Sequence, residues 1–89
     1  MRFIWDPRKA ASNLRKHSVT FEEAKTAFDD EHALVQPDLV HGDRLLILGM
    51  SARARMLFVV YIEREPDDTI RIISARRATP HERKAYANE

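Results

Sequence analysis

Eighty-nine residues with a 44% hydrophobic content suffice for one domain, residues 1–89, with a modest core and no room for a second. The absence of cysteine excludes disulfides and thiolate metal sites and fits a reducing cytoplasm. The start MetArgPheIleTrpAspPro lacks a signal-peptide pattern, and the longest apolar stretch, Met56–Ile62, is too short to cross a bilayer. Net charge is +1, but the segment Asp29–Asp43 holds five acids and no Lys or Arg, leaving nine acids against fifteen Lys and Arg elsewhere. Such segregation favours a phosphate-binding face if the acidic segment lies opposite that face, and opposes it if the segment lies beside it.

Arg2–Trp5 reads as a short strand stopped by AspPro. Asp6 suits an N-cap and Pro7 a first helical position, which predicts a helix from about Pro7 to Lys16. Its apolar side is narrow: Ala10, Ala11 and Leu14. Lys9, Asn13 and Lys16 recur at i, i+4 and i+7 as a polar stripe closed by His17. A solvated face and a phosphate-facing rim both account for that stripe, and the helix dipole by itself favours Lys16 and His17 in the last turn. ThrPheGluGlu at Thr20–Glu23 has capping-box spacing, with Val19 placed to staple onto Ala24, so a second helix follows. In it Phe21, Ala24, Ala27 and Phe28 face the core, while Glu22, Glu23 and Lys25 point elsewhere. Ala33–Val35 is a candidate brief strand before Pro37.

From Arg44 the pattern becomes extended. Arg44–Met50, Met56–Glu63 and Thr69–Arg77 are strand candidates separated by SerAlaArgAlaArg and GluProAspAsp, both short enough for hairpins, so an antiparallel meander is expected. Both alternating sets in Met56–Ile62 are apolar, which makes this strand central and covered on both faces. The N-terminal helices form one cover; the C-terminal helix or a partner chain forms the other. In Thr69–Arg77, alternation puts Ser74 and Arg76 on one face and Ala75 and Arg77 on the other where the strand stays regular. Thr79, Pro80 and Glu82 announce a third helix through an N-cap, a first-position proline and a second capping box. With only Ala85, Tyr86 and Ala87 as apolar residues, that helix gains little from packing.

The histidines His17, His32, His41 and His81 form no i, i+4 pair and no HExxH, so neither a metal nor another cofactor is expected. There is no glycine-rich phosphate loop, and Ser12, Ser18, Ser51 and Ser74 lack a nucleophile elbow. What remains is phosphate chemistry. Arg53, Arg55, Arg76, Arg77 and Arg83 offer planar forks that bind phosphate bidentately, and Trp5 and Tyr86 are the rings available for stacking. RNA scission needs no metal when a base deprotonates the 2′-hydroxyl, cations stabilise the phosphorane and an acid protonates the leaving oxygen. Lys16, His17, Glu22, Glu82 and Tyr86 are the proton-transferring types, and the residues alone do not choose among them.

TrpAspProArgLys, AsnLeuArgLysHis, ValThrPheGluGluAla, PheAspAsp and IleIleSerAlaArgArgAlaThr followed by GluArgLysAlaTyr together resemble the BrnT family of bacterial toxins over nearly the whole chain. The resemblance implies a RelE-like α+β fold: two N-terminal helices after a short first strand, packed on an antiparallel β-meander sheet, with a C-terminal helix. It also implies a ribonuclease toxin of a type II toxin–antitoxin system. Its partner would be a BrnA-like antitoxin whose ribbon-helix-helix part binds operator DNA, so that DNA is reached only through the antitoxin, in a heterotetramer built on the antitoxin dimer. By position, the family's blocks fall on Asn13, Lys16 and His17, on Ser74 and Arg76, and on Glu82 and Tyr86. The expectation is then a cytoplasmic, metal-independent endoribonuclease. Arg76 would hold the scissile phosphate, Lys16 with Arg53 or Arg55 would steady the transition-state charge, and His17 or Glu22 would move protons. Lys9, Arg53, Arg55, Arg77, Arg83 and Tyr86 would contact RNA. The alternative is a non-catalytic protein- or RNA-binding module that partners a transcription repressor, marked by exposed apolar surface beside the thin last helix.

Overall fold

Asp6 opens the first helix by accepting a hydrogen bond from the Arg8 N–H at 2.9 Å, with Pro7 in the first helical position. The computed structural model describes residues 1–64 and 67–88. In chain order these form β1 (Arg2–Ile4), α1 (Pro7–His17), α2 (Phe21–Thr26), a 3-10 turn (Ala27–Asp29), β2 (Leu34–Pro37), β3 (Leu45–Met50), β4 (Met56–Arg64), β5 (Thr69–Arg77) and α3 (Pro80–Ala87). Helix α1 ends at Ser18, whose left-handed backbone (φ 57°) lets its N–H close on the Leu14 carbonyl at 2.9 Å. The expected turn GluProAspAsp includes Glu65 and Pro66, which lie outside the described residues. Among the described residues no helix is long and apolar enough to cross a membrane.

The sheet runs β1-β5-β4-β3-β2, with β4 in the middle as its doubly apolar sequence predicts. Strands β3 to β5 form the expected antiparallel meander and β2 adds to it antiparallel to β3, whereas β1 pairs parallel with β5, Arg2 opposite Thr69 and Ile4 opposite Arg71. A hairpin dictates antiparallel pairing only for neighbours in sequence, and β1 reaches β5 across all the intervening elements, so no turn constrains its direction.

One face of the sheet is the core. Leu57, Val59 and Tyr61 from β4, Ile47 from β3 and Ile70, Ile72 and Ala75 from β5 close beneath Val19, Phe21 and Ala24. Burying a side chain such as Phe21 or Leu57 completely is worth about 1.5–3 kcal/mol. Aromatic rings extend this layer edge to face, Phe3 to Phe28 at 5.1 Å and Phe28 to Tyr61 at 4.9 Å. Trp5 stands edge-on to Phe21 at 5.9 Å, so this ring, expected to be free for stacking, is instead packed against the core. Gly49 lets β3 abut the 3-10 turn, because a Cβ there would sit 2.8 Å from the Ala27 carbonyl oxygen.

A bulge shifts the alternation of β5. Val60 faces Ser74 but Tyr61 faces Ile72, leaving Ile73 as the extra residue. Ile70, Ile72 and Ala75 therefore share the helix-covered face, and Arg71, opposite Ile62, joins Ser74 and Arg76 on the other. Helix α3 covers part of that second face, lying against β3 with none of its residues fully buried. Its N-terminus carries the complete capping box expected of Thr79 and Glu82.

Candidate active site

Asn13 sets the position of α1. Expected on an exposed polar stripe, it is buried instead. Its Nδ2 donates to the carbonyls of Ala75 at 2.7 Å and Val19 at 3.0 Å, and its Oδ1 accepts from the Ala75 N–H at 3.0 Å. A side-chain amide carries the same donor and acceptor as a peptide group, so one residue satisfies both backbone atoms of Ala75. Lys16 and His17, three and four residues on, lie on the same side of α1, which brings them alongside the end of β5. The Ser18 carbonyl accepts from Arg55 Nη2 at 3.2 Å, and the Ala78 N–H donates to the Met56 carbonyl at 2.9 Å. The end of α1, the β3–β4 turn, the end of β5 and the start of α3 thus meet at one end of the sheet.

At that end Arg76 grips Glu82 in a two-pronged ion pair, Nη1 to Oε1 and Nη2 to Oε2, each 2.8 Å. Its guanidinium carbon lies 4.2 Å from the centre of the Phe58 ring, a cation–π contact. The hydrogen bond from Arg76 holds the Glu82 carboxyl below its ordinary value, and the same bond secures the charge on Arg76. Glu82 Oε1 also accepts from the Thr79 N–H at 2.9 Å, so one carboxylate caps α3 and binds the arginine. An apolar cleft of about 320 Å³ adjoins the pair, lined by Leu34, Leu46, Leu48 and Phe58 below and by His81, Glu82 and Ala85 of α3 above.

Glu23 is the second departure from expectation. The Thr20 hydroxyl accepts from its N–H at 3.0 Å, as an N-cap should, but the Glu23 carboxylate turns inward and away from solvent. It accepts from the Ser51 hydroxyl at 2.7 Å and from Arg55 Nε at 2.9 Å and Nη2. A charge this buried persists only when paired, and Arg55 is the first cause of its lowered pKa. Ser51 in turn accepts from the N–H groups of Arg53 at 3.2 Å and Arg55 at 3.3 Å, so the whole β3–β4 turn is organised on one carboxylate. Of the two turn arginines, Arg55 is committed to Glu23. Arg53, 3.9 Å from the same carboxylate, keeps 72% of its side chain exposed.

The remaining predicted residues are dispersed. Lys9 is exposed about 10 Å back along α1 from Lys16. Glu22 is exposed at the start of α2, and Arg83 on α3. Arg77 is exposed, opposite Leu57 and so on the α1 side of the sheet, which separates it from Arg76. The Tyr86 hydroxyl donates to Asp30 Oδ2 at 2.6 Å, and that bond raises its pKa. Burial pushes the Asp30 carboxyl up, but the Met50 N–H, the Tyr86 hydroxyl and the His32 N–H together bring it below its ordinary value. The acidic segment therefore borders the α3 cleft, through Asp30 and β2, and lies away from α1. Its charge opposes a polyanion at the β2 side and leaves the α1 end, with Lys16, His17, Arg53 and Arg77, as the basic surface. Sequence reasoning passed over Ser51, Phe58 and Asp30. Phe58 alone had a visible signal, since it alternates onto the strand face of Arg76.

Residues 5–82 match the profile of a family described as the ribonuclease toxin, BrnT, of type II toxin–antitoxin systems. The crystal structure of the Brucella abortus ribonuclease toxin BrnT superposes with a TM-score of 0.71 at 26% sequence identity, over 89% of this chain and 97% of that one. No curated protein matches the sequence.

Proposed function

Since this chain belongs to the BrnT family of ribonuclease toxins of type II toxin–antitoxin systems, which implies an antitoxin partner, we propose that it is a metal-independent endoribonuclease of the cytoplasm, neutralised by a DNA-binding, BrnA-like antitoxin. The heterotetramer built on the antitoxin dimer belongs to the same proposal. The observation that supports the catalytic reading is the two-pronged Arg76–Glu82 pair at the end of β5, the strand to which Asn13 fastens the α1 helix that carries Lys16 and His17. A fork that fits a carboxylate also fits two phosphate oxygens, so a scissile phosphate takes the place of Glu82 on Arg76. A base removes the proton of the 2′-hydroxyl, and the 2′-oxygen bonds to phosphorus. The 5′-oxygen then leaves with a proton from an acid, and a 2′,3′-cyclic phosphate remains. Lys16 and Arg53 supply the cations that steady the charge developing on the phosphorane. His17 and Glu22 remain the proton-moving candidates, and the released Glu82 carboxylate joins them as a base on the opposite side of β5.

Purified, antitoxin-free protein incubated with a long RNA and a chelator tests this reading. Cleavage should persist with the chelator and fall about 100-fold or more in Arg76→Ala. Undiminished cleavage or cell killing by Arg76→Glu would remove Arg76 from the site, and no cleavage by folded protein would move the weight to a non-catalytic binding module.

A further inference from the structure

Leu39 is 95% and Val40 83% exposed, two consecutive aliphatic residues in the loop after β2. Single exposed aliphatics are ordinary, but these adjoin two hollows that share walls. Gln36 and Leu46 line both the cleft under α3 and a second hollow completed by Pro37 and Leu39. Strand β2 has a neighbour on one side only, so its outer edge is available for an extended chain. The loop is ordered while its apolar tips face outward. Asp38 Oδ1 accepts from the N–H groups of Val40 at 2.8 Å and His41 at 3.1 Å, and the Asp38 N–H donates to the Arg44 carbonyl at 3.0 Å. The segment that carries this groove exposes Glu31 and Asp43, and no Lys or Arg occurs from Asp29 to Asp43, the adjoining cations being Arg44 and, on α3, Arg83 and Lys84.

An acid-rimmed apolar groove repels RNA and attracts a protein segment of opposite charge. We infer that the groove along β2, from Leu39 to the cleft under α3, is the docking surface for the antitoxin, and that it takes an extended segment with apolar side chains flanked by Lys or Arg. This rests on the proposed reading that an antitoxin neutralises the protein, and not on the ribonuclease chemistry. A segment seated there also reaches His81, Glu82 and Ala85, so it fastens α3 over Arg76 and keeps Glu82 in the place of a phosphate.

The test uses the full chain and a BrnA-like antitoxin that neutralises it, with affinity measured by calorimetry at low and high salt. Leu39→Asp with Val40→Asp should weaken binding about 100-fold or more. Glu31→Lys with Asp43→Lys should weaken it about tenfold and flatten its salt dependence. Leu14→Ser, which trims an exposed aliphatic on α1, should leave affinity unchanged. Both charged variants should keep the wild-type melting temperature and RNA cleavage, and lose only rescue by the antitoxin. Unchanged affinity in Leu39→Asp/Val40→Asp would overturn the assignment. So would a free protein that sediments as a dimer and turns monomeric in that variant, since the occupant would then be a second copy. Binding is read without cleavage, so a wild-type protein that binds the antitoxin through this surface but cleaves no RNA would retain the docking site and discard the ribonuclease reading.

Discussion

Asn13 makes three hydrogen bonds from a site 6% exposed, two of them to the single residue Ala75. Removing its amide leaves the N–H and carbonyl of Ala75 and the carbonyl of Val19 to find partners where water has little access. Asn13→Ala should therefore cost about 2–4 kcal/mol, read as a shift in the urea midpoint with unchanged slope. A loss under 0.5 kcal/mol would mean that water replaces the amide at no penalty. The residue also explains a failure of sequence reading. At i, i+4 and i+7, Lys9, Asn13 and Lys16 look equivalent, and what distinguishes Asn13 is the backbone of a strand 62 residues away. Helical spacing carries no information about a contact that distant.

Helix α3 is held by polar contacts at its two ends, Glu82 on Arg76 near the start and Tyr86 on Asp30 near the finish, with no fully buried residue between them. Thr79→Ala removes the hydroxyl that accepts from the Glu82 N–H at 3.1 Å and should cost about 1 kcal/mol, seen as faster amide exchange in Pro80–Ala87 with the β4 and β5 amides unaffected. Exchange that quickens equally in the strands would show that the helix and sheet open as one unit. The helix was legible in the sequence because Thr79, Pro80 and Glu82 are local signals, as were Asp6 and Pro7 for α1. The same spacing at Thr20 and Glu23 misled, because a carboxylate three residues past an N-cap can serve the cap or something else. Here Ser51 and Arg55 compete for it and win, and only the fold places them there.

For the molecule as a whole, the strands and their meander followed from alternation and short turns. The parallel β1 and the bulge at Ile73 did not, since neither is dictated by neighbours in sequence. The place of Lys16 and His17 alongside the end of β5 was likewise invisible before α1 had a position. The charge pattern predicts how stability responds to acid. Glu23 and Glu82 have folded pKa values below the ordinary 4.5, and Asp30 lies below 3.8. Groups lowered in the folded state contribute stability above their unfolded values, and it is lost as the pH falls through the folded ones. Urea unfolding should thus show full stability at pH 7, with decline beginning near pH 4.5 and steepening below 3.8, and a shallower decline in Glu23→Gln. Stability that rises toward acid would refute that assignment. The Asn13 amide has one more consequence at this scale. Strand β1 pairs with β5 only from Thr69 to Arg71, and farther along the strand Asn13 occupies both backbone groups of Ala75. A foreign strand that tried to lengthen the sheet on that flank would find its template interrupted. Beyond the reach of β1, a single amide closes the edge of β5 to a foreign strand.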